Sequence, residues 1–211
     1  VVVLYGGADS GKSYFVGSQY IPLSMLREKY FRGMIVRKYA TTLRNSVFTE
    51  ITDGLERLDN NIYNSFDINN GNLQITFSPN KNKLIFVGLD KIPKLKSIKG
   101  INFIWVEEAE EIGLNEYNNL LLRLRGGYYE RLFLTYNPVD EEYFGRDLFD
   151  SKYGKVLKYN AWGDPQVWTI TIKDEIDGEM IEYDVLVVNT TYKDNYFISP
   201  VRKLAIEKLK D

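Results

Sequence analysis

Short apolar runs alternate with amphipathic segments along the chain, and this alternation predicts strands separated by helices. The first four residues, Val-Val-Val-Leu, form a continuous apolar run that is typical of a strand buried on both faces. Further buried strands are predicted at 34–36, 101–106, 131–135 and 155–159, and helices at 12–30, 41–58, 115–124 and 142–149. Strands that alternate with helices form a parallel sheet with crossover connections, so the predicted fold class is α/β, with a mainly parallel central sheet flanked by helices.

Two β-hairpins are predicted beside this alternation, one joining 73–77 to 84–87 and one joining 167–172 to 180–188. The alternation of strands and helices ends near Asp164 and Pro165, and a charged helix is predicted at 200–210. We therefore expect a core of residues 1–163 followed by a small linker or lid subdomain at 164–211.

Composition narrows the chemistry that the chain can perform. It has 211 residues, of which 44% are hydrophobic, which is enough for one well-packed domain. The net charge of −2 gives no general attraction to nucleic acid, so any polyanion contact must come from a local patch. The absence of cysteine and histidine excludes disulfides, metal sites built on either residue, and histidine base catalysis. Catalysis must then use carboxylates, lysine, arginine and a metal.

Targeting and membrane segments are not found in the sequence. No stretch approaches the length and apolarity of a transmembrane helix, and no signal peptide precedes the first strand. We therefore expect a soluble protein without a membrane partner. Because the chain begins inside a predicted strand, we also expect an excised domain.

The most informative motif follows directly after the first strand. Residues 6–13 read Gly-Gly-Ala-Asp-Ser-Gly-Lys-Ser, a G-x-x-x-x-G-K-[ST] phosphate loop between a strand and a helix. We expect its N–H groups to face phosphate oxygens, Lys12 to reach the β- and γ-phosphates, and Ser13 to ligate Mg²⁺. The residues predicted to bind the nucleotide are Gly6, Gly7, Ala8, Asp9, Ser10, Gly11, Lys12 and Ser13. Asp9 would repel phosphate unless its side chain points to solvent or pairs with a cation, and we expect it to point outward.

Adjacent carboxylates end the strand predicted at 101–106. Glu107 is assigned to Mg²⁺ and Glu108 to general base or water orientation, because a nucleotide hydrolase needs both functions beside its phosphate loop. The pair favours an ATPase with a carboxylate base. The alternative is that these acids only start a helix, whose dipole favours acidic residues in its first turn. We assign Glu110 and Glu111 to this alternative and expect both side chains to be solvated.

A third polar element ends the strand predicted at 131–135. The chain continues there as Thr135-Tyr136-Asn137-Pro138, and a hydroxyl and an amide at a strand end can sense the γ-phosphate and relay its loss. Thr135 and Asn137 are therefore assigned to coupling.

With this element the chain resembles the N-terminal ATPase half of phage terminase large subunits, the motors that package viral DNA. The resemblance rests on the phosphate loop, on Trp-Val-Glu-Glu-Ala at 105–109 and on Thr-x-Asn-Pro at 135–138, in family order. The segments at 35–38, 42–47 and 191–195 are also similar to family sequence.

The resemblance implies a P-loop NTPase of the RecA-like (ASCE) type that hydrolyses ATP with Mg²⁺ to drive double-stranded DNA into a procapsid. Its implied partners are double-stranded DNA, a small terminase subunit and a homo-oligomeric ring on a portal protein, in the cytoplasm of an infected bacterium. Such rings complete each site with an arginine at a subunit boundary. Arg123 and Arg125 are our candidates, and the alternative is two solvated helix arginines.

The chain also departs from the family pattern. Many family members carry a basic residue inside the phosphate loop, where this chain has Ala8 and Asp9, so an arginine supplied from elsewhere becomes more necessary. The family's C-terminal nuclease half and its upstream adenine-clasping segment are not found within the 211 residues, so we expect no DNA cleavage and incomplete base contacts.

Two functions other than a packaging motor stay open. One is another RecA-like DNA motor of the helicase or recombinase type, and the other is a nucleotide-gated assembly module with little turnover. The dense basic run, formed by Lys91, Lys94, Lys96 and Lys99, is a candidate DNA-facing or subunit-facing loop, with a solvated loop as the alternative.

Overall fold

One ten-stranded sheet organises the molecule. The computed structural model describes residues 1–90, 98–127, 129–138, 143–176 and 178–208. The strands in chain order are β1 (Val2–Gly6), β2 (Arg32–Arg37), β3 (Phe66–Asn69), β4 (Gln74–Phe77), β5 (Asn82–Gly88), β6 (Phe103–Glu107), β7 (Arg131–Tyr136), β8 (Lys155–Tyr159), β9 (Pro165–Ile176) and β10 (Glu179–Thr190). Across the sheet they lie in the order β3-β4-β5-β2-β6-β7-β1-β10-β9-β8.

The centre of the sheet is parallel. The pairs β5–β2, β2–β6, β6–β7, β7–β1 and β1–β10 are all parallel, and the antiparallel strands β3, β4, β8 and β9 extend the two sides. The prediction of an α/β fold with a mainly parallel sheet is confirmed. Since carboxyl ends of parallel strands meet at one edge, the segments that follow β1, β6 and β7 converge there.

Helices connect these strands. The α-helices are α1 (Lys12–Tyr14), α2 (Ile21–Arg27), α3 (Thr49–Glu56), α4 (Asn60–Tyr63), α5 (Leu114–Leu121), α6 (Gly145–Leu148) and α7 (Pro200–Lys208). Short 3₁₀ turns occur at Ala40–Thr42, Ala109–Glu111 and Ser151–Tyr153. A π-helical segment, Phe15–Tyr20, joins α1 to α2, and a second, Arg44–Phe48, leads into α3. The helix predicted at 142–149 is found in part as α6, and residue 142 itself lies outside the described residues.

A hydrophobic layer covers each face of the sheet and holds its carboxyl edge in place. On one face, side chains of α2 and α3 pack on the parallel strands, and members of this layer are Ile21, Met25, Ile51, Leu55, Trp105 and Phe133. On the other face the layer includes residues of α5, and its members include Val106, Tyr117, Leu120, Leu134, Trp168 and Val187. Each such side chain stabilises the fold by about 1.5–3 kcal/mol when it is fully buried.

The C-terminal hairpin corrects one expectation from the sequence. We expected it in a small subdomain that begins at residue 164, but β10 pairs in parallel with β1, from Val2 opposite Leu186 to Gly6 opposite Thr190. The hairpin therefore belongs to the main sheet, where it covers the backbone N–H and C=O groups along one side of β1. Among the described C-terminal residues, those at 191–208 follow the sheet rather than join it.

No helix in the described ranges is long and apolar enough to cross a membrane.

Candidate active site

The phosphate loop leaves β1 through a backbone that suits glycine. Gly6 has φ of +150°, and a Cβ on it would lie 1.7 Å from the carbonyl oxygen of Thr190 on the neighbouring strand. Gly11, with φ of +84°, turns the chain into α1, and Asp9 also has a positive φ of 61°. Positive φ values of this kind allow successive N–H groups to face one anion, which phosphate binding requires.

Lys12 is the buried cation of the loop. Its ammonium group donates to the carbonyl oxygens of Gly6 and Gly7 at 2.8 and 2.9 Å and to the Ser10 hydroxyl at 2.9 Å. It also lies 3.2 Å from the amide oxygen of Asn137. Burial lowers the pKa of Lys12 to about 8, because removal from water disfavours the charged form. The loop thus holds a positively charged group that is largely removed from solvent.

Glu107, at the end of β6, is suited to hold a divalent cation. Its Oε2 atom is buried and has no hydrogen-bond partner. Burial raises the pKa of Glu107, while the Arg37 charge and hydrogen bonding from Ser13 oppose that rise. The Ser13 hydroxyl therefore lies beside the Glu107 carboxylate, whose Oε2 atom is 3.5 Å from Arg37 Nε, and both side chains offer oxygen ligands that Mg²⁺ accepts. The residues present fit the ion, and phosphate oxygens and water would have to complete its shell.

Glu108 is held by an arginine that sequence reasoning missed. It adopts a left-handed backbone with φ of 53°, a conformation that costs roughly 1 kcal/mol or more outside glycine. The Arg37 guanidinium, at the end of β2, is ion-paired with the Glu108 carboxylate and lies 3.5 Å from that of Glu107. The same guanidinium donates to the Ser46 hydroxyl at 2.9 Å. The sequence indicated only that Arg37 is a charged residue directly after a buried apolar run. Its contact with Glu107 and Glu108 depends on the sheet order, which places β2 beside β6.

The third predicted element meets the loop through Asn137. Its backbone N–H donates to Glu110 Oε1 at 3.2 Å, and its side-chain oxygen accepts from Lys12. Thr135 is buried, and its hydroxyl accepts a hydrogen bond from the Trp105 indole N–H at 2.9 Å. The assignment of Glu110 to solvent is corrected, because its second carboxylate oxygen is buried without a partner and burial raises its pKa. Glu110 and Asn137 form one polar group beside the loop.

These elements enclose one cleft of about 320 Å³. Its lining includes the predicted residues Ala8, Asp9, Ser10, Gly11, Lys12, Ser13, Glu107, Glu108, Thr135 and Asn137. Tyr14, Glu110, Tyr136 and Asn195 complete the lining and were not assigned from the sequence. Among the described residues no cluster of three acidic side chains could hold a metal unaided, so a cation here needs phosphate or water ligands as well.

Arg123 and Arg125 lie far from this cleft. The backbone N–H of Arg125 donates to the Ile101 carbonyl, which precedes β6, whereas Glu107 ends β6. At about 3.3 Å per residue along a strand, the two sites are on the order of 20 Å apart. The structure therefore does not bring either arginine to the cleft of its own chain. Both line a different cavity that includes Lys99, while Lys91, Lys94 and Lys96 lie outside the described residues.

Asp9 has a cationic partner, which is the second of the two arrangements that would keep its carboxylate from repelling phosphate. Its Oδ2 atom accepts a hydrogen bond from Arg202 Nε at 2.7 Å. The ion pair offsets the negative charge that would otherwise repel phosphate at the rim of the loop. Arg202 belongs to α7, almost two hundred residues along the chain, so no local sequence pattern indicated the contact.

Comparisons with known proteins identify the family of this chain. The family model of the phage terminase large subunit matches residues 1–211. The terminase large subunit of Bacillus phage SPP1 is 30% identical over 146 residues, which are 64% of this chain and 34% of that protein. The PBSX phage terminase large subunit of Bacillus subtilis is 32% identical over 137 residues, 64% of this chain and 30% of that protein. The match thus spans about a third of each relative.

Solved structures share the fold. The large terminase of a thermophilic bacteriophage superposes with a TM-score of 0.68 at 14% identity, over 99% of this chain and 44% of that one. The large terminase ATPase domain of Thermus phage P74-26 gives a TM-score of 0.65 at 14% identity, over 99% of this chain and 81% of that one. The family match over the whole chain and the shared fold lead to one conclusion: this chain belongs to the phage terminase large subunit family.

Proposed function

We propose that this chain is the ATPase domain of a viral DNA-packaging motor and that it hydrolyses ATP with Mg²⁺. The observation that carries the proposal is the convergence of Lys12, Ser13, Glu107 and Glu108 on one cleft at the carboxyl edge of the sheet. The large terminase of the same thermophilic bacteriophage has been solved with ADP and with ATP-γ-S, which supports the same ligand class for this chain.

In this proposal each loop residue has a binding role. Backbone N–H groups of residues 6–13 hold the phosphates, and Lys12 leaves its carbonyl partners to neutralise the β- and γ-phosphates. Ser13 and Glu107 hold Mg²⁺, which would polarise the phosphoryl oxygens and offset the charge that develops on them.

Glu108 accepts a proton from the attacking water, or orients that water, at the γ-phosphate. Arg37 positions its carboxylate from the end of β2. Asn137 contacts both Lys12 and Glu110, so loss of the γ-phosphate would change its hydrogen bonds and pass the change into β7. Thr135 ties that strand to β6 through Trp105.

The motor context extends the proposal beyond a single chain. We infer a homo-oligomeric ring on a portal protein, acting with a small terminase subunit on double-stranded DNA in the host cytoplasm. Arg123 or Arg125 would serve the active site of a neighbouring subunit, because both are too far from their own cleft. The residues at 191–208 would act as the linker or lid, and this chain itself would not cut DNA.

Phosphate release from ATP tests the central part of the proposal. We expect release with Mg²⁺, none in EDTA, and loss of both binding and release in Lys12→Ala. Nucleotide binding without release, together with ATP-dependent oligomers, would instead identify a nucleotide-gated assembly module. ATPase activity coupled to strand separation or strand exchange would favour a helicase or recombinase.

A further inference from the structure

The cleft has two ends, and the sheet order distinguishes them. β7 and β6 lie on one side of β1 and carry Thr135 and Glu107, while β10 lies on the other side and leads to Asn195. The proposed function places Mg²⁺ and the γ-phosphate beside Glu107 and Asn137, on the β7 side. The remainder of a bound nucleotide would then extend toward the β10 side, past Tyr14.

The chain after β10 is fastened to the phosphate loop on that side. Asn195 Nδ2 donates to the Asp9 carbonyl at 2.8 Å, and Arg202 donates to the Asp9 carboxylate at 2.7 Å. The Thr190 hydroxyl lies 3.0 Å from that of Ser10. These contacts place the segment at 191–202 beside the loop in a defined position.

This segment presents an aromatic ring beside Tyr14, which lines the cleft. The Asn195 side-chain oxygen accepts a hydrogen bond from the Phe197 N–H at 3.0 Å. Asn195 therefore contacts the loop and also orients Phe197. The rings of Phe197 and Tyr14 have centroids 6.3 Å apart, and Arg57 lies over the Tyr14 ring at 5.1 Å. Phe197 is nevertheless 75% exposed, so most of its surface is free for a ligand.

We propose that the base of the bound nucleotide packs against Phe197 and Tyr14, so that the C-terminal segment supplies the base-binding wall of the site. The inference rests on the proposed nucleotide-binding function and adds residues to that site. Aromatic rings are suited to this role because every base offers a flat π-face, and such stacking is sequence-tolerant. Asn195 acts as a positioning residue, since it fixes both the loop and Phe197.

The test compares a ligand that has a base with one that has none. Isothermal titration with ADP and with inorganic tripolyphosphate gives two dissociation constants for each variant. We expect Phe197→Ala to weaken ADP binding about tenfold and to leave tripolyphosphate binding unchanged. Phe197→Trp should retain ADP affinity. Because Phe197 is mostly exposed, neither change should threaten the fold.

Tyr159→Ala is the control, since Tyr159 is 59% exposed and ends β8, the outermost strand on that side of the sheet. It should leave both affinities unchanged. Equal ADP affinity in Phe197→Ala and wild type would overturn the inference while leaving the phosphate site intact. Equal loss of both ligands in that variant would also overturn it, because Phe197 would then support the loop rather than the base. A wild-type chain that binds neither ligand would instead overturn the proposed function.

Discussion

Lys12 carries the charge that nucleotide binding needs, and its burial makes that charge sensitive to pH. Its pKa lies near 8 in the free chain, whereas an exposed lysine titrates near 10.4. Phosphate oxygens favour the protonated form, so binding raises this pKa. Above pH 8 the nucleotide must therefore bind together with a proton.

The expected result is a pH-dependent affinity for ADP. Below pH 8 the affinity should be constant, and above it the dissociation constant should rise, approaching about tenfold per pH unit. Titration calorimetry in EDTA, in buffers of different ionisation enthalpy, measures both the affinity and the proton uptake. Lys12→Arg should bind without this pH dependence, because arginine stays protonated. A flat wild-type profile up to about pH 9.5 would contradict the lowered pKa.

At the residue scale, local motifs predicted those site residues whose chemistry depends on adjacent positions. The loop at 6–13 and the acids after β6 have fixed spacings, so sequence alone indicated them. Arg37 and Arg202 could not be found in this way, because each meets its carboxylate partner across the fold. Glu110 was missed because helix-start acids are usually solvated, and its burial depends on packing against β7.

At the element scale, the contact between β1 and β10 depends on Gly6. No side chain fits there, since a Cβ would overlap the Thr190 carbonyl and φ is +150°. The residue therefore lets the phosphate loop start immediately beside a paired parallel strand.

Gly6→Ala should lower the free energy of unfolding by about 2–4 kcal/mol, through overpacking against backbone and a strained dihedral. Urea denaturation followed by circular dichroism measures this change. Gly7→Ala is the matched control: a Cβ there meets nothing within 4 Å, so its effect should stay within about 1 kcal/mol. Equal stability of the two variants would argue against the β1–β10 pairing.

The hydrophobic pattern predicted where strands and helices occur better than it predicted which strands pair with each other. The apolar runs at 34–36, 101–106 and 131–135 all proved to be strands of the parallel centre. The run at 155–159, predicted as a further buried strand, is instead an antiparallel strand at the edge of the sheet. The hairpin after residue 164 joins the main sheet. Periodicity reports burial and local geometry, but strand order is set by long-range pairing that a local pattern does not encode.

At the scale of the whole molecule, Arg123 and Arg125 lie far from the cleft of their own chain. Whether Arg125 serves the cleft of a neighbouring subunit can therefore be tested by mixing variants. A chain with Glu108→Gln retains Arg125, and a chain with Arg125→Ala retains Glu108. If sites form between subunits, mixing the two inactive chains should restore about a quarter of wild-type phosphate release, because one interface in four combines intact partners.

Lys12→Ala replaces Arg125→Ala in the matched control mixture. Lys12 and Glu108 line the same cleft of one chain, so every site in that mixture lacks one of them and phosphate release should stay absent. A mixture of Glu108→Gln with Arg125→Ala that stays as inactive as its components would contradict a two-subunit site built on Arg125.

The central claim is that this cleft hydrolyses ATP with Glu108 as its base, and one measurement tests it most directly. Steady-state phosphate release is compared between wild type and Glu108→Gln, with ATP binding followed in parallel. We predict that the variant binds ATP but releases phosphate at least about 100-fold more slowly. Glu111→Gln, in an exposed acid of the same turn, should keep the wild-type rate. Wild-type release by Glu108→Gln, or binding without release by the wild-type chain, would contradict the account.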